Sequence, residues 1–346
     1  MTKKLVIQSE SEGSNLLNCE IVTELNKEVF MYSGYLTDVE GIKVGHAQDN
    51  KAATGCTAII CEEGATGGVD VRGSAPGTRE TDLFRAENTV DKVHAIVLTG
   101  GSAFGLEAGS GTMKYLEEKG IGIDVGVARV PIVASCVIFD LAIGNPNIRP
   151  DFSMGYLAAK NASFEENKQG CVGCGSGASV GKILGPENSM KSGLGSASLV
   201  VGDLVVSAMI CLNSFGDIYK GDKQIGGVYD YKNKKLLSTI DIMKSKAGNI
   251  EFLNTNTTIG VVATNAILTK AQGNKIASVS HNGLARTIRP VHTLVDGDTI
   301  FTMATNKVKA DINLISVLAV EAVEKAVINA LESAKSYGEI LSWRDL

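Results

Sequence analysis

A chain of 346 residues, 44% of them hydrophobic, can bury a full core, and its length is compatible with one large domain or two small ones. A formal charge of -5 and the lack of any basic tract argue against a surface built to neutralise phosphates, so no nucleic-acid partner is expected. With 5% aromatic residues against 39 glycines, the core should rely on Val, Ile, Leu and Ala, and function should sit on backbone-lined loops.

In chain order, Lys3 and Lys4 precede an apolar stretch, Leu5 to Ile7, that ends at once in Gln8-Ser9-Glu10 and is too short for a secretory h-region. No later run reaches the roughly 18 apolar residues of a membrane span, so a cytoplasmic protein without a membrane partner is expected. Residues 1–34 carry no strong periodicity and read as an N-terminal appendage; the patterned part, 35–346, reads as a single domain. Val93 to Leu98 predicts a strand, Thr99-Gly100-Gly101 a turn, and Phe104 to Glu118 a helix closed by Gly120. Gly170 to Gly181 is a glycine-rich stretch, either a flexible surface segment or a backbone cradle. Leu199 to Leu212 predicts two strands about a Gly202-Asp203 turn. Thr258 to Ala263 and Thr299 to Ala304 are further strands. Leu268 to Arg286 carries a broken helical pattern, and Asp311 caps a long helix running to about Ser336. Strands in runs between long helices suggest helices on both faces of layered sheets, not the regular alternation of a doubly wound sheet.

Most of the familiar site signals fail on spacing. Seven scattered cysteines fit reduced thiols, and Cys171-Val172-Gly173-Cys174 is half a zinc motif with no second half, so no metal is expected. The segment ending Gly181-Lys182 is no phosphate loop, because Ser176 stands where the first Gly belongs and Ile183 where Ser or Thr must meet magnesium. Gly100-Gly101-Ser102-Ala103-Phe104-Gly105 lacks dinucleotide spacing, and no cofactor is expected. Each of the four histidines (His46, His94, His281, His292) stands alone in the sequence and is expected to be structural. What remains is the Thr-rich strand entrance Asn254-Thr255-Asn256-Thr257-Thr258-Ile259-Gly260, which by itself is ordinary turn chemistry.

That stretch resembles the autocleaving aminopeptidases and amidases: the β-aminopeptidases, the L-aminopeptidase D-Ala-esterases and the endo-type nylon-oligomer hydrolases. Further segments resemble the same family in the same order: Gly67 to Thr78, His94 to Leu106, and the Asp296-Gly297-Asp298-Thr299-Ile300-Phe301 turn. The resemblance covers roughly residue 35 to the end. It implies an α/β fold, a four-layer αββα sandwich similar to N-terminal nucleophile hydrolases, and self-cleavage between Asn256 and Thr257. The freed Thr257 would then be the nucleophile. Physical chemistry agrees, since a hydroxyl needs a base and the new α-amino group, with a reference pKa of about 8, can serve without histidine.

The same resemblance assigns Asp296 and Asp298 to orienting the ammonium and hydroxyl, and Lys182 to pairing with Asp296 or holding the nucleophile's surroundings. It assigns Asn213 to the oxyanion hole. Phe139 stands where the nylon-oligomer hydrolases carry Tyr, so a hydroxyl there is missing or supplied elsewhere. The expected activity is hydrolysis of amide bonds in a short peptide or oligoamide substrate, by a homo-oligomer of processed heterodimers. An acyltransferase of related fold and a noncatalytic metabolite-binding protein are the alternatives, and Thr255, which also follows an Asn, competes as the cleavage point.

Overall fold

The computed structural model describes residues 34–246 and 256–346. Thr255 and, apart from Gly34, the appendage expected over 1–34 lie outside these residues. Nine strands form one hydrogen-bonded sheet: β1 (Lys43–Asp49), β2 (Thr54–Val71), β3 (Thr78–Arg79), β4 (Lys92–Thr99), β5 (Val133–Val137), β6 (Leu194–Val201), β7 (Leu204–Asn213), β8 (Thr257–Ala266) and β9 (Thr299–Val308). Their order is β6-β7-β8-β9-β2-β4-β5-β3, with β1 paired to β2.

β2 joins two halves. Thr54 to Ile60 pairs with β1, and Cys56 to Ile60 pairs on the other side with β4, while Thr66 to Val71 pairs with β9; a break in register between Ile60 and Ala65 marks the change. An 18-residue strand can serve both halves because it bends at that irregularity. Alternate side chains of β2, β4 and β8 point to opposite faces, which separates two sets of apolar residues. Ile59, Ile96 and Leu98 from one half meet Met209, Ile259, Val261, Phe301 and Met303 from the other in the central core. The outward set, Ala58, Ile60, Ala95 and Val97, instead packs on Ala108, Leu116 and Ala158 of helices α1 (Ala108–Glu118) and α2 (Phe152–Lys160). A short helix, α3 (Thr239–Ser245), precedes α4 (Lys270–Thr287) and α5 (Ile312–Glu332), which pack on the other half. The layers are thus helix, sheet, sheet, helix, the αββα arrangement expected from the resemblance.

Local chemistry accounts for the element ends. Asp311 caps α5 by accepting from Asn313 and Leu314, and Thr269 with Gln272 forms a capping box on α4. The broken pattern of α4 has a physical cause: its sheet-facing side buries polar groups that find backbone partners. Lys270 donates to the carbonyls of Asn88 and Val90, Asn274 bridges Phe84 and Val69, and His281 reaches the Asp70 carbonyl. The stretch Gly170 to Gly181 is not a surface segment, since nearly all of it is buried. Its exposed-looking composition is offset by buried donors. Lys191, with no exposed surface, donates to the carbonyls of Gly175, Ala178 and Ser192, and Cys174 N–H donates to Thr57 Oγ1.

Candidate active site

Two neighbouring parallel strands begin side by side: Thr257 opens β8, and Asp298 immediately precedes β9, with Ile259 opposite Thr299. The last residue of antiparallel β7, Asn213, is the cross-strand partner of Thr257 on the other side. Three residues distant in sequence therefore meet at one end of the sheet. Asn256 bridges to Asp296, and its carbonyl oxygen accepts the Gly297 N–H at 3.1 Å. The Thr257 hydroxyl donates to that same carbonyl oxygen. Both residues are nearly buried, at 3% and 5% exposure.

The two aspartates of the turn are buried and differently engaged. Asp298 accepts the Thr258 N–H at 2.6 Å on one oxygen; on the other it accepts the His292 N–H at 3.2 Å and His292 Nδ1 at 2.8 Å. Asp296 accepts the Thr293 N–H at 2.8 Å and the Thr293 hydroxyl at 2.6 Å. Burial, followed by the repulsion of Asp298, pushes Asp296 up to about 6, against the opposing effect of the Thr293 hydrogen bonds and the Lys182 charge.

Lys182 follows Gly181, whose φ of 73° and close approach to Gly227 and Val228 fix where the lysine leaves the backbone. Its ammonium donates to the Asn213 carbonyl at 3.1 Å and to Asn213 Oδ1 at 2.5 Å. Burial lowers it to about 7, while Asp296 and Asp140 act to keep it charged. Asn213 also accepts the Ser179 N–H at 3.1 Å and donates Nδ2 to the Phe139 carbonyl at 3.0 Å. One of its two amide hydrogens is thus already committed.

Asn256 and Thr257 face a cleft of about 130 Å³ whose walls include Pro76, Ser102, Val137, Phe139 and Val295. The cleft draws on the Gly67 to Thr78 and His94 to Leu106 segments as well as the β8 entrance, so distant sequence motifs converge on one place. All seven residues singled out from sequence belong to this region. Lys182, Asn213 and Phe139 form one hydrogen-bonded group; Asn256, Thr257 and the two aspartates form a second cluster, connected through the Gly297 and Thr258 N–H groups.

Other participants were not legible. Ser102 and Ala103 wall the cleft from a turn that spacing had set aside as a cofactor loop, and Asp140 holds that turn by accepting the Gly101 N–H at 2.7 Å and the Thr54 hydroxyl at 2.7 Å. Burial raises the Asp140 carboxyl. His292, expected to be structural, lies on Asp298. Its only sequence signal is its position four residues before Asp296.

Comparison with known proteins gives this geometry a context. Residues 34–340 match peptidase family S58. A Mycobacterium tuberculosis protein named as an uncharacterized aminopeptidase is 36% identical over 344 residues, covering 90% of this chain and 97% of the relative. A 6-aminohexanoate-oligomer endohydrolase of Agromyces sp. is 31% identical over 275 residues, 78% of this chain and 75% of that enzyme. Among solved structures, a Burkholderia sp. β-aminopeptidase superposes with a TM-score of 0.65 at 19% identity, over 91% of this chain and 92% of its own. The L-aminopeptidase D-Ala-esterase/amidase of Ochrobactrum anthropi, described as a variant of the Ntn hydrolase fold, superposes with a TM-score of 0.67 at 18% identity, over 89% of each chain. Among the described residues no helix is long and apolar enough to cross a membrane.

Proposed function

The chain belongs to peptidase family S58, an enzyme of the N-terminal nucleophile amidohydrolase class, and we propose that it matures by cutting its own Asn256-Thr257 bond and then uses Thr257 to hydrolyse amide bonds. The observation that carries this reading is the contact between the Thr257 hydroxyl and the Asn256 carbonyl, whose oxygen is also bonded to the Gly297 N–H. That N–H is aimed where negative charge develops when a nucleophile adds to the Asn256 carbonyl carbon. Addition of Thr257 Oγ1 to that carbon and departure of the Thr257 nitrogen exchange the amide for an ester and free the α-amine. Water then hydrolyses the ester, leaving chains 1–256 and 257–346.

In the matured site the Thr257 α-amine takes the hydroxyl proton as Oγ1 attacks a substrate amide, and the proton passes to the leaving amine. Water releases the acid from the acyl-enzyme. Asp298 keeps the backbone after the nucleophile in place through Thr258 N–H, while Asp296 and the Lys182–Asn213 pair set the local charge. The walls formed by Pro76, Val137, Phe139 and Val295 suit an acyl group with aliphatic parts, as in a short peptide or an oligoamide of the 6-aminohexanoate kind.

Incubation of purified protein, followed on a denaturing gel and by mass spectrometry, tests the reading. Two fragments meeting at Asn256-Thr257 are expected, and a single full-length band from Thr257→Ala. A wild-type chain that stays whole after prolonged incubation, or a cut before Thr255, overturns the assignment.

A further inference from the structure

We infer that His292 is a positioning residue for Thr257, acting through Asp298. The inference rests on the reading of Thr257 as nucleophile. Asp298 is 1% exposed, and its two oxygens divide their partners: one takes the Thr258 N–H, the other takes both the backbone N–H and the Nδ1 of His292. A carboxylate only accepts, so the imidazole proton in this contact is on Nδ1. The chain of contacts runs from the ring to the carboxylate to the Thr258 amide, one covalent step from the nucleophile.

The ring is itself held. It packs edge-on against His281 with centroids 4.8 Å apart at 70°, and His281 Nε2 reaches the Asp70 carbonyl at 3.1 Å. His292 has φ of 56°, a conformation uncommon outside glycine and tolerated best by Asn, Asp and His. Together with the Nδ1 contact, it anchors the Asp298 carboxylate from two atoms of one residue. Without the ring, the outer oxygen of Asp298 keeps only the His292 N–H at 3.2 Å, and the carboxylate plane that orients Thr258 is held more loosely. A displacement of reacting groups of about 1 Å costs on the order of 100-fold in rate.

The φ value supplies a clean experiment. Glycine and asparagine both tolerate this conformation, and the amide nitrogen of asparagine lies as many bonds from Cα as Nδ1 of histidine does. His292→Gly removes the donor while leaving the backbone at ease; His292→Asn restores it. In full-length chains made by cell-free translation, self-cleavage is followed on a gel. The Thr258 amide is followed by NMR in protein with nitrogen-15 threonine. The Gly variant is expected to cleave roughly 10 to 100 times more slowly, with its Thr258 proton moved upfield. The Asn variant should cleave within about threefold of wild type, with that proton unmoved, as expected when its donor is replaced. A Gly variant that cleaves like wild type, or a folded Asn variant as slow as the Gly one, overturns the inference. If the wild type itself does not cleave, the reading of Thr257 fails, and the Thr258 amide shift alone decides whether His292 positions that backbone.

Discussion

Replacement of Gly297 by alanine probes the cleavage geometry directly. A Cβ on residue 297 comes within 2.6 Å of the Ala75 carbonyl oxygen and 2.9 Å of Thr257 Oγ1. Ordinary contact begins at about 3.4 Å, so the carbonyl must give way by roughly 0.8 Å and the hydroxyl by roughly 0.5 Å. The Gly297 backbone does not lie in the left-handed region, so alanine meets no conformational penalty there and the effect comes from the methyl group alone. The hydroxyl cannot withdraw without leaving the Asn256 carbonyl, and residue 297 cannot withdraw without loosening its own N–H bond to that oxygen. Self-cleavage in Gly297→Ala should therefore slow on the order of 10 to 100 times, while overpacking lowers stability by about 1–3 kcal/mol. A gel time course gives the rate, and urea denaturation of the same sample gives the stability. A variant that remains folded and cleaves at the wild-type rate refutes the claim that the contact between Thr257 and Asn256 is the one that reacts.

Gly181→Ala should cost about 3 kcal/mol, because φ is 73° there and the added carbon lies 2.0 Å from the backbone of Gly227 and Val228; a melting temperature within a few degrees of wild type contradicts this. Asp217 gives a pH-dependent test away from the site. Burial raises its carboxyl to about 6, against the opposing hydrogen bonds from Thr239 and the Val228 N–H, so the native state holds its proton more tightly than the unfolded chain. The associated stability is fully present below about pH 4 and is lost as pH rises through 6, on the order of 2–3 kcal/mol. Asp217→Asn should flatten that part of the stability profile in urea titrations between pH 4 and 7; an unchanged slope sinks the assignment.

Much of the scaffold was legible because its signals are local. The strand at Val93 to Leu98, the hairpin about Gly202-Asp203 and the cap at Asp311 follow from short-range alternation, turn chemistry and capping, and each recurs in the structure with its ends shifted by a few residues. For Gly170 to Gly181 composition left a surface segment and a backbone cradle both open, because it reports the character of a segment but not what covers it; the wholly buried Lys191 that satisfies its carbonyls lies beyond its end. The bent β2 strand was missed for a related reason: its two halves face different partners, so no single alternation runs through it.

The sequence by itself singled out the Asn256-Thr257 step, the Asp296-Gly297-Asp298 turn, Lys182 and Asn213, chiefly because several motifs resemble one family in order. It also read against a phosphate loop at Lys182 and a dinucleotide motif at Gly100 to Gly105, since those require fixed spacings that can be checked residue by residue. Only the tertiary structure decided how these groups stand to one another. The parallel starts of β8 and β9 bring Thr257 beside the two aspartates, the end of β7 brings Asn213 and with it Lys182, and the Pro290 to Asp298 segment turns His292 back onto Asp298. Hydrogen-bond distance, burial and charge repulsion depend on which strands pair and in what register, and those long-range choices leave no fixed spacing in the chain.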